Sequence, residues 1–213
     1  MNATRVSASV GRRPGILLTI FLLLAMLPLR AAEITATITG VLEGGWDHLG
    51  IFATGADAKN MAGRPFTLVF TFDDTKGTPQ HGQCNGAAGS GVEGGGPDSP
   101  GKAVLTIGSA SYTFGENGGS SGAWREVPGA CSSTSLIGFY VNGATAHFDF
   151  APEVDVKMMP GKGSNSLTRN PDWRAPLSTT AVDNQTSCFV ITRHGGGDAK
   201  GCFDIKKLEI TKR

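Results

Sequence analysis

Apolar side chains recur at every second position through much of this chain. Residues 66–72, FTLVFTF, place three phenylalanines and one leucine on a single face. Residues 33–41, EITATITGV, alternate isoleucine and alanine with threonine. A period of two is typical of a half-buried β-strand, because successive side chains of a strand point to opposite sides. No apolar helical repeat of convincing length accompanies these strands, although residues 54–62 are compatible with one or two helical turns. The pattern therefore predicts an all-β chain.

The predicted strands follow one another at short spacing, which indicates antiparallel hairpins. Three hairpins are predicted: 103–107 with 110–114 across Gly108–Ser109, 136–141 with 144–150 across a type I′ turn at Asn142–Gly143, and 187–192 with 202–211. We expect an antiparallel β-sandwich of about 8–10 strands with long Gly-rich loops. A β-barrel is the alternative.

Two regions of the sequence favour irregular structure. Residues 82–122 hold 13 glycines in 41 positions, and glycine loses much conformational entropy when it is ordered. We expect long mobile loops there. Residues 157–186 mix three prolines with serine, threonine and asparagine, which predicts a second long connection. Long loops on a rigid β-scaffold often carry binding residues.

The first 32 residues have the order of an export signal. Three arginines precede an almost unbroken apolar run over 16–27, and the small pair Ala31–Ala32 follows. A membrane anchor is the rival interpretation, but the run is short of the roughly 20 residues that span a bilayer as a helix. We therefore expect a signal peptide over 1–32 and a single β-sandwich domain over 33–213.

The predicted export signal determines the expected location and charge of the mature chain. The mature chain is predicted to be periplasmic or secreted, with no transmembrane segment. Loss of four arginines leaves 15 basic against 18 acidic residues. Because there is no basic stripe, nucleic acid is not expected as a partner. An extracellular glycan or an envelope component is the expected kind of partner.

Four cysteines remain in the mature chain: Cys84, Cys131, Cys188 and Cys202. An even number of cysteines in an exported chain favours disulfides. Three pairings are possible, and we favour Cys188–Cys202, which brackets the last predicted hairpin, together with Cys84–Cys131. Zinc is not expected, because the chain has no CxxC.

Two short strings join an acid to a histidine. In Gly45-Trp46-Asp47-His48, neighbouring side chains of an extended chain point to opposite faces, so a turn is expected rather than an acid–base pair. In His147-Phe148-Asp149, the histidine and aspartate share a face, but no third metal ligand is identifiable. A solvated strand face is the default there.

The pair Asp73–Asp74 has two interpretations. Paired carboxylates are ligands that Ca²⁺ prefers, so calcium is the one cofactor considered. The spacing of an EF-hand loop is absent, and the pair follows a strand directly before Lys76–Gly77. A hairpin turn is therefore the default.

Aromatic and acidic residues supply the remaining candidates for ligand binding. The three tryptophans, Trp46, Trp124 and Trp173, lie in or near predicted loops, where they either stack on sugar rings or cap the ends of the sandwich. A glycoside hydrolase would need two carboxylates about 5–10 Å apart across a groove. Its candidates are Asp47, Asp74, Glu93, Glu116 and Glu126.

One segment carries a resemblance to known proteins. Residues 38–73 match a block G-x-D-x-x-G-x-F followed by G-x-x-F-x-x-x-F-x-F-D, at Gly45, Asp47, Gly50, Phe52, Gly63, Phe66, Phe70, Phe72 and Asp73. The segment resembles the N-terminal block of small exported, mostly proteobacterial, β-rich proteins. Ala53 departs from the glycine usual after the phenylalanine. Some of these proteins carry a C-terminal Pro-Glu-Pro-type sorting anchor. Its absence here implies a soluble product.

The resemblance implies a bacterial envelope or secreted protein and brings no activity with it. Motifs for nucleophilic catalysis, zinc hydrolysis and phosphate binding are absent. We therefore expect a non-enzymatic binding or structural module with no catalytic residues. The alternative is a secreted carbohydrate-active protein, either a sugar-binding module or a glycoside hydrolase. The candidate ligand residues are Trp46, Asp47, Asp73, Asp74, Trp124 and Trp173.

Overall fold

The computed structural model describes residues 32–81, 89–116, 118–128, 135–143, 152–161, 166–180, 182–184, 187–193 and 196–213. The predicted signal peptide (apart from Ala32), the Cys84–Cys131 pair and the string from His147 to Asp149 lie outside these ranges.

Nearly all the regular structure of the described residues is β-strand. The strands are β1 (Glu33–Asp47), β2 (Pro65–Asp73), β3 (Thr78–His81), β4 (Gly89–Gly95), β5 (Gly101–Ile107), β6 (Ala110–Phe114), β7 (Gly119–Glu126), β8 (Leu136–Gly143), β9 (Glu153–Pro160), β10 (Leu177–Thr179), β11 (Val182–Asn184), β12 (Cys188–Thr192) and β13 (Asp198–Lys212). Two 3₁₀ turns, Asp57–Lys59 and Gly96–Asp98, complete the described elements.

The strands form one antiparallel sheet in the order β3-β4-β7-β8-β9-β12-β13-β1-β2-β5-β6. Strand β10 pairs with β13, and β11 pairs with β9. Within the described residues the end strands β3 and β6 do not pair with each other, so the sheet is not closed. The all-β prediction is confirmed and the arrangement fits a β-sandwich. The barrel alternative is wrong.

Strand β2 lies at the centre of the core, as its alternation predicts. Its inward residues Phe66, Leu68, Phe70 and Phe72 are buried. Phe70 packs on Phe139 of β8 with ring centroids 5.3 Å apart. Since β2 and β8 are far apart in strand order, this contact shows that the sheet folds over on itself and encloses the aromatic core.

Two of the three predicted hairpins are present. Strands β5 and β6 flank Gly108–Ser109, and β12 pairs with β13. In the last hairpin, however, β12 pairs with residues 198–202, and the predicted second strand, 202–211, pairs with β1 instead. The Cys188–Cys202 disulfide is confirmed between directly opposite residues of β12 and β13. It ties together the two strands of the last hairpin.

The hairpin predicted at Asn142–Gly143 is wrong. Both residues belong to β8, where Asn142 lies opposite Ser120 of β7 and Glu153 of β9. Strand partners on both sides outweigh the local preference of this dipeptide for a turn. The next strand along the chain is β9, which pairs with β8. It also occupies the start of the connection predicted over 157–186.

The loop prediction over 82–122 is wrong where β4, β5, β6 and β7 lie. Strands β4 and β7 are rich in glycine and nevertheless pair with each other over seven positions. The phenol ring of Tyr140 covers Gly122 of β7, which supplies packing that glycine itself lacks.

Candidate functional site

Asp47 is buried at the end of β1, where the strand and not the expected turn contains Gly45, Trp46 and Asp47. It is 1 % exposed and its carboxylate accepts hydrogen bonds from the backbone amides of Leu49 at 3.1 Å, Phe52 at 2.5 Å and Ala53 at 2.9 Å. Both oxygens are therefore occupied in shaping the loop, and Phe52 is held against the core. The side chain of His48 is 59 % exposed, on the other side of the chain. Asp47 and His48 therefore do not form an acid–base pair.

Asp73 and Asp74 act in the turn after β2. Asp73 Oδ1 accepts hydrogen bonds from the hydroxyl of Thr75 at 2.6 Å and its amide at 3.0 Å, and these bonds lower the pKa of Asp73. Asp74 accepts a bond from the amide of Ala32 and lies 3.7 Å from the ammonium of Lys212. In the part of the chain that the structure describes, no group of three or more potential metal ligands is found. Calcium at this turn stays a prediction.

The three tryptophans have different surroundings. Trp173 is 5 % exposed and packs edge-on against Phe72, with ring centroids 5.8 Å apart. Its indole is part of the core and has no face free for a ligand. Trp46 and Trp124 are half-buried on the outer surface of the sheet.

Trp46 belongs to a polar cluster of β1 and β13. Its Nε1 donates to Asp198 Oδ1 at 2.8 Å, and the same oxygen lies 3.0 Å from His48 Nδ1. These contacts lower the pKa of Asp198. The ammonium of Lys200 lies 3.8 Å from the centre of the indole ring. One face of Trp46 is therefore covered by a cation.

Trp124 of β7 and Tyr140 of β8 form a reciprocal arrangement with two glycines. Trp124 lies directly opposite Gly138, and Tyr140 lies directly opposite Gly122. A Cβ atom at Gly138 would overlap the indole, and one at Gly122 would lie 2.5 Å from the phenol ring. Each ring therefore lies over the backbone of a glycine of the other strand, and the two ring planes are inclined at 51° to each other. The ring centroids are 6.2 Å apart. We call this two-ring surface the Trp124–Tyr140 platform.

Polar groups surround the platform. The hydroxyl of Tyr140 donates to Glu93 Oε1 of β4 at 2.7 Å. Burial of the phenol and the bond to Glu93 raise the pKa of Tyr140. The ammonium of Lys157 lies 6.0 Å from the centre of the Trp124 ring and 3.7 Å from Asp155 Oδ2. Burial raises the pKa of Asp155.

The platform borders a shallow depression of about 240 Å³. Its side chains combine two aromatic rings with acids, an amide and an imidazole: Trp124, Tyr140, Glu93, Glu126, Gln80 and His81. An apolar floor with a few polar groups at its edge is the usual composition of a site for a small organic ligand.

The two glutamates of this depression are badly placed for glycoside hydrolysis. Glu93 lies opposite Gly122 of β7, four residues before Glu126 on the same strand. At the rise of a β-strand, these positions are about 13 Å apart along the strand. A hydrolytic pair lies about 5–10 Å apart. The strand positions of the two glutamates are therefore farther apart than the carboxyl groups of a hydrolytic pair.

Comparisons with family models, with curated proteins and with solved structures found no match. In the described ranges, no helix has the length and apolar character needed to cross a membrane.

Proposed function

We propose that this protein is an exported, non-enzymatic glycan-binding module whose ligand rests on the Trp124–Tyr140 platform. The observation that carries the proposal is the pair of adjoining outward-facing rings, inclined at 51° to each other, which has hydrogen-bonding groups along its edge. A pyranose ring has the complementary form, because it presents C–H groups on its faces and hydroxyl groups around its rim. Its apolar face would lie on the indole and phenol rings.

The rim of the platform suits sugar hydroxyl groups. Glu93 and Glu126 carry carboxylates that accept hydrogen bonds, and Gln80 both donates and accepts. Glu93 is already oriented by the hydroxyl of Tyr140. A group that is held in place before binding loses little conformational freedom when the ligand arrives.

The rings are also fixed before binding. Trp124 sits above Gly138 and next to Gly91, where a Cβ would lie 3.0 Å from Cβ of Trp124. Since the neighbouring strands offer no side chains at these positions, the indole is supported by backbone rather than by mobile groups. Such a surface favours recognition by shape and stacking.

The proposal is tested by calorimetric titration with five soluble hexasaccharides: cellohexaose, laminarihexaose, chitohexaose, xylohexaose and mannohexaose. At least one of them should bind the wild-type protein, and Trp124→Ala should weaken that binding at least tenfold, which corresponds to about 1.4 kcal/mol. Thr37→Ala is the matched control, because Thr37 is half-buried on β1 away from the platform. Absence of binding by all five sugars at millimolar concentration, or unchanged binding by Trp124→Ala, would overturn the proposal.

A further inference from the structure

Ala32 and Asp74 bind each other through two hydrogen bonds. The backbone amide of Ala32 donates to Asp74 Oδ1 at 3.0 Å, and the backbone amide of Asp74 donates to the carbonyl of Ala32 at 3.3 Å. The side chain of Asp74 is 14 % exposed. Both backbone groups of Ala32 are therefore used by the fold, and one of them meets a largely buried carboxylate.

Two cations lie near the carboxylate of Asp74 without donating to it. Nζ of Lys212 is 3.7 Å and Nη1 of Arg174 is 4.0 Å from Oδ2, and both side chains are 43 % exposed. Both distances exceed that of a hydrogen bond. The burial of a carboxylate is offset best by a cation that donates to it directly. The nitrogen of Ala32 occupies that position, and it is neutral while bonded to Ala31 but becomes an ammonium once that bond is cut.

The residue after Ala32 is fixed in the sheet. Glu33 lies opposite Asp73 at the end of the ladder between β1 and β2, and its carbonyl accepts a hydrogen bond from the amide of Arg213. Ala32 itself is half-buried and packs against the core. A chain that began at Glu33 would lose the two bonds between Ala32 and Asp74. The fold therefore favours a mature chain that retains Ala32.

The sequence before Ala32 supports the same boundary. Export peptidases cut after a small residue and favour a second small residue two positions earlier. A cut after Ala31 places the apolar Leu29 at that earlier position, whereas a cut after Ala32 places the charged Arg30 there. The bond between Ala31 and Ala32 is therefore the better of the two, and it lies one residue before the expected end of the signal peptide.

We propose that an export peptidase hydrolyses the bond between Ala31 and Ala32, and that the new ammonium of Ala32 forms an ion pair with Asp74. Water adds across the peptide bond, so that its oxygen completes the carboxylate of Ala31 and its protons pass to the nitrogen of Ala32. Processing thus converts a neutral donor to Asp74 into a charged one. The inference rests on the exported location in the proposed function and is independent of the Trp124–Tyr140 platform.

The first experiment determines the N-terminus of the processed chain. The full chain is expressed with its own leader in a Gram-negative host, and the protein recovered from cells and medium is analysed by mass spectrometry of its N-terminal peptide. We expect a chain that begins at Ala32. A chain that begins at any other residue, or an uncut chain, would overturn the proposal. The platform is unaffected by that result, because calorimetry with glycans tests it separately.

The second experiment titrates the α-amino group of Ala32 by competitive acetylation over a series of pH values, read from the same peptide. The carboxylate of Asp74 should raise the pKa of this amine by at least one unit relative to Asp74→Asn, which corresponds to about tenfold slower acetylation at neutral pH. Asp73→Asn is the matched control. It removes the same charge from the preceding residue, whose Oδ1 bonds to Thr75 instead, and should keep the wild-type titration.

Equal titration of the amine in wild type and Asp74→Asn would overturn the ion pair. If Asp74→Asn fails to fold, the wild-type protein decides alone, because an unpaired α-amino group has a pKa of about 8. A wild-type pKa near that value would overturn the ion pair, and a value above about 9 would support it.

Discussion

The indole of Trp124 occupies the space over the backbone of Gly138, its directly opposite partner on the neighbouring strand. The relation is reciprocated two pairs further along, where the ring of Tyr140 lies over Gly122. Two glycines thus create the space that two rings fill. The pair of contacts supplies packing at two glycines of these strands and fixes the positions of the two rings.

Gly138→Ala should displace the indole of Trp124. The added methyl group overlaps the ring, and such overpacking typically costs about 1–3 kcal/mol of stability. The loss is measured by urea unfolding, and the ring movement should also weaken hexasaccharide binding. Gly44→Ala is the control, because its methyl group enters open space and should change stability little. Equal stability of Gly138→Ala and wild type would contradict the described ring position.

Asp47→Ala should destabilise the protein strongly. Three backbone amides lose their shared acceptor, and a buried donor without a partner costs about 1–3 kcal/mol. We expect a loss of about 3 kcal/mol in urea unfolding. Asp47→Asn keeps one acceptor oxygen, so its stability should lie between those of the wild type and Asp47→Ala.

Asp73→Asn is the comparison for the buried aspartate, since its partners lie in an exposed turn. It should lose clearly less stability than Asp47→Ala. If Asp47→Ala unfolded at the same urea concentration as the wild type, the assignment of Asp47 as the residue that shapes its loop would be wrong.

The sequence allowed the architecture to be predicted better than the site. Alternation in FTLVFTF depends only on which side chains face the core, so β2 and the all-β class follow from local pattern. The turn expected at Asn142–Gly143 failed because pairing with β7 and β9 decides the structure there. Local preference carries no information about strands that are distant in sequence.

The sequence contains a pattern for the platform, but the pattern can be recognised only when the register of β7 and β8 is known. Strand β7 contains Gly122-x-Trp124 and β8 contains Gly138-x-Tyr140. Only the antiparallel register sets each glycine against the aromatic residue of the other strand. Likewise, Asp198 lies 150 residues from His48 in sequence. No spacing rule in a single sequence predicts such a contact.

Removal of the disulfide by the double variant Cys188→Ala/Cys202→Ala should lower stability by about 3 kcal/mol. The bond closes a loop with a sequence separation of 14, and the chain-entropy argument gives this magnitude. Urea unfolding of the variant beside the oxidised wild type measures the change. Identical midpoints would show that the hairpin is held fully by its other contacts.

The two tyrosines should resist ionisation in the folded protein. Burial raises the pKa of Tyr112 and Tyr140, and Glu93 raises that of Tyr140 further. Their neutral forms therefore stabilise the fold fully below the usual tyrosine pKa of about 10, and this contribution is lost as pH rises through the higher folded values. An ultraviolet titration should detect little tyrosinate near pH 10 until the protein is denatured.

Glu93→Gln identifies the source of the Tyr140 shift. The substitution removes the negative charge beside the phenol, so tyrosinate should form at lower pH than in wild type. Glu126→Gln is the control, because Glu126 is not a cause of that shift. Identical titration curves for wild type and Glu93→Gln would contradict the hydrogen bond between Glu93 and Tyr140.

The most direct test of glycan binding by the Trp124–Tyr140 platform is a ¹H–¹⁵N correlation spectrum recorded during titration with the hexasaccharide that binds most tightly. The chain has three indole N–H groups, which Trp46→Phe, Trp124→Phe and Trp173→Phe assign one by one. We predict that the Trp124 signal shifts with the bound fraction while that of the buried Trp173 stays in place. A stationary Trp124 signal under conditions where calorimetry shows saturation would contradict the account.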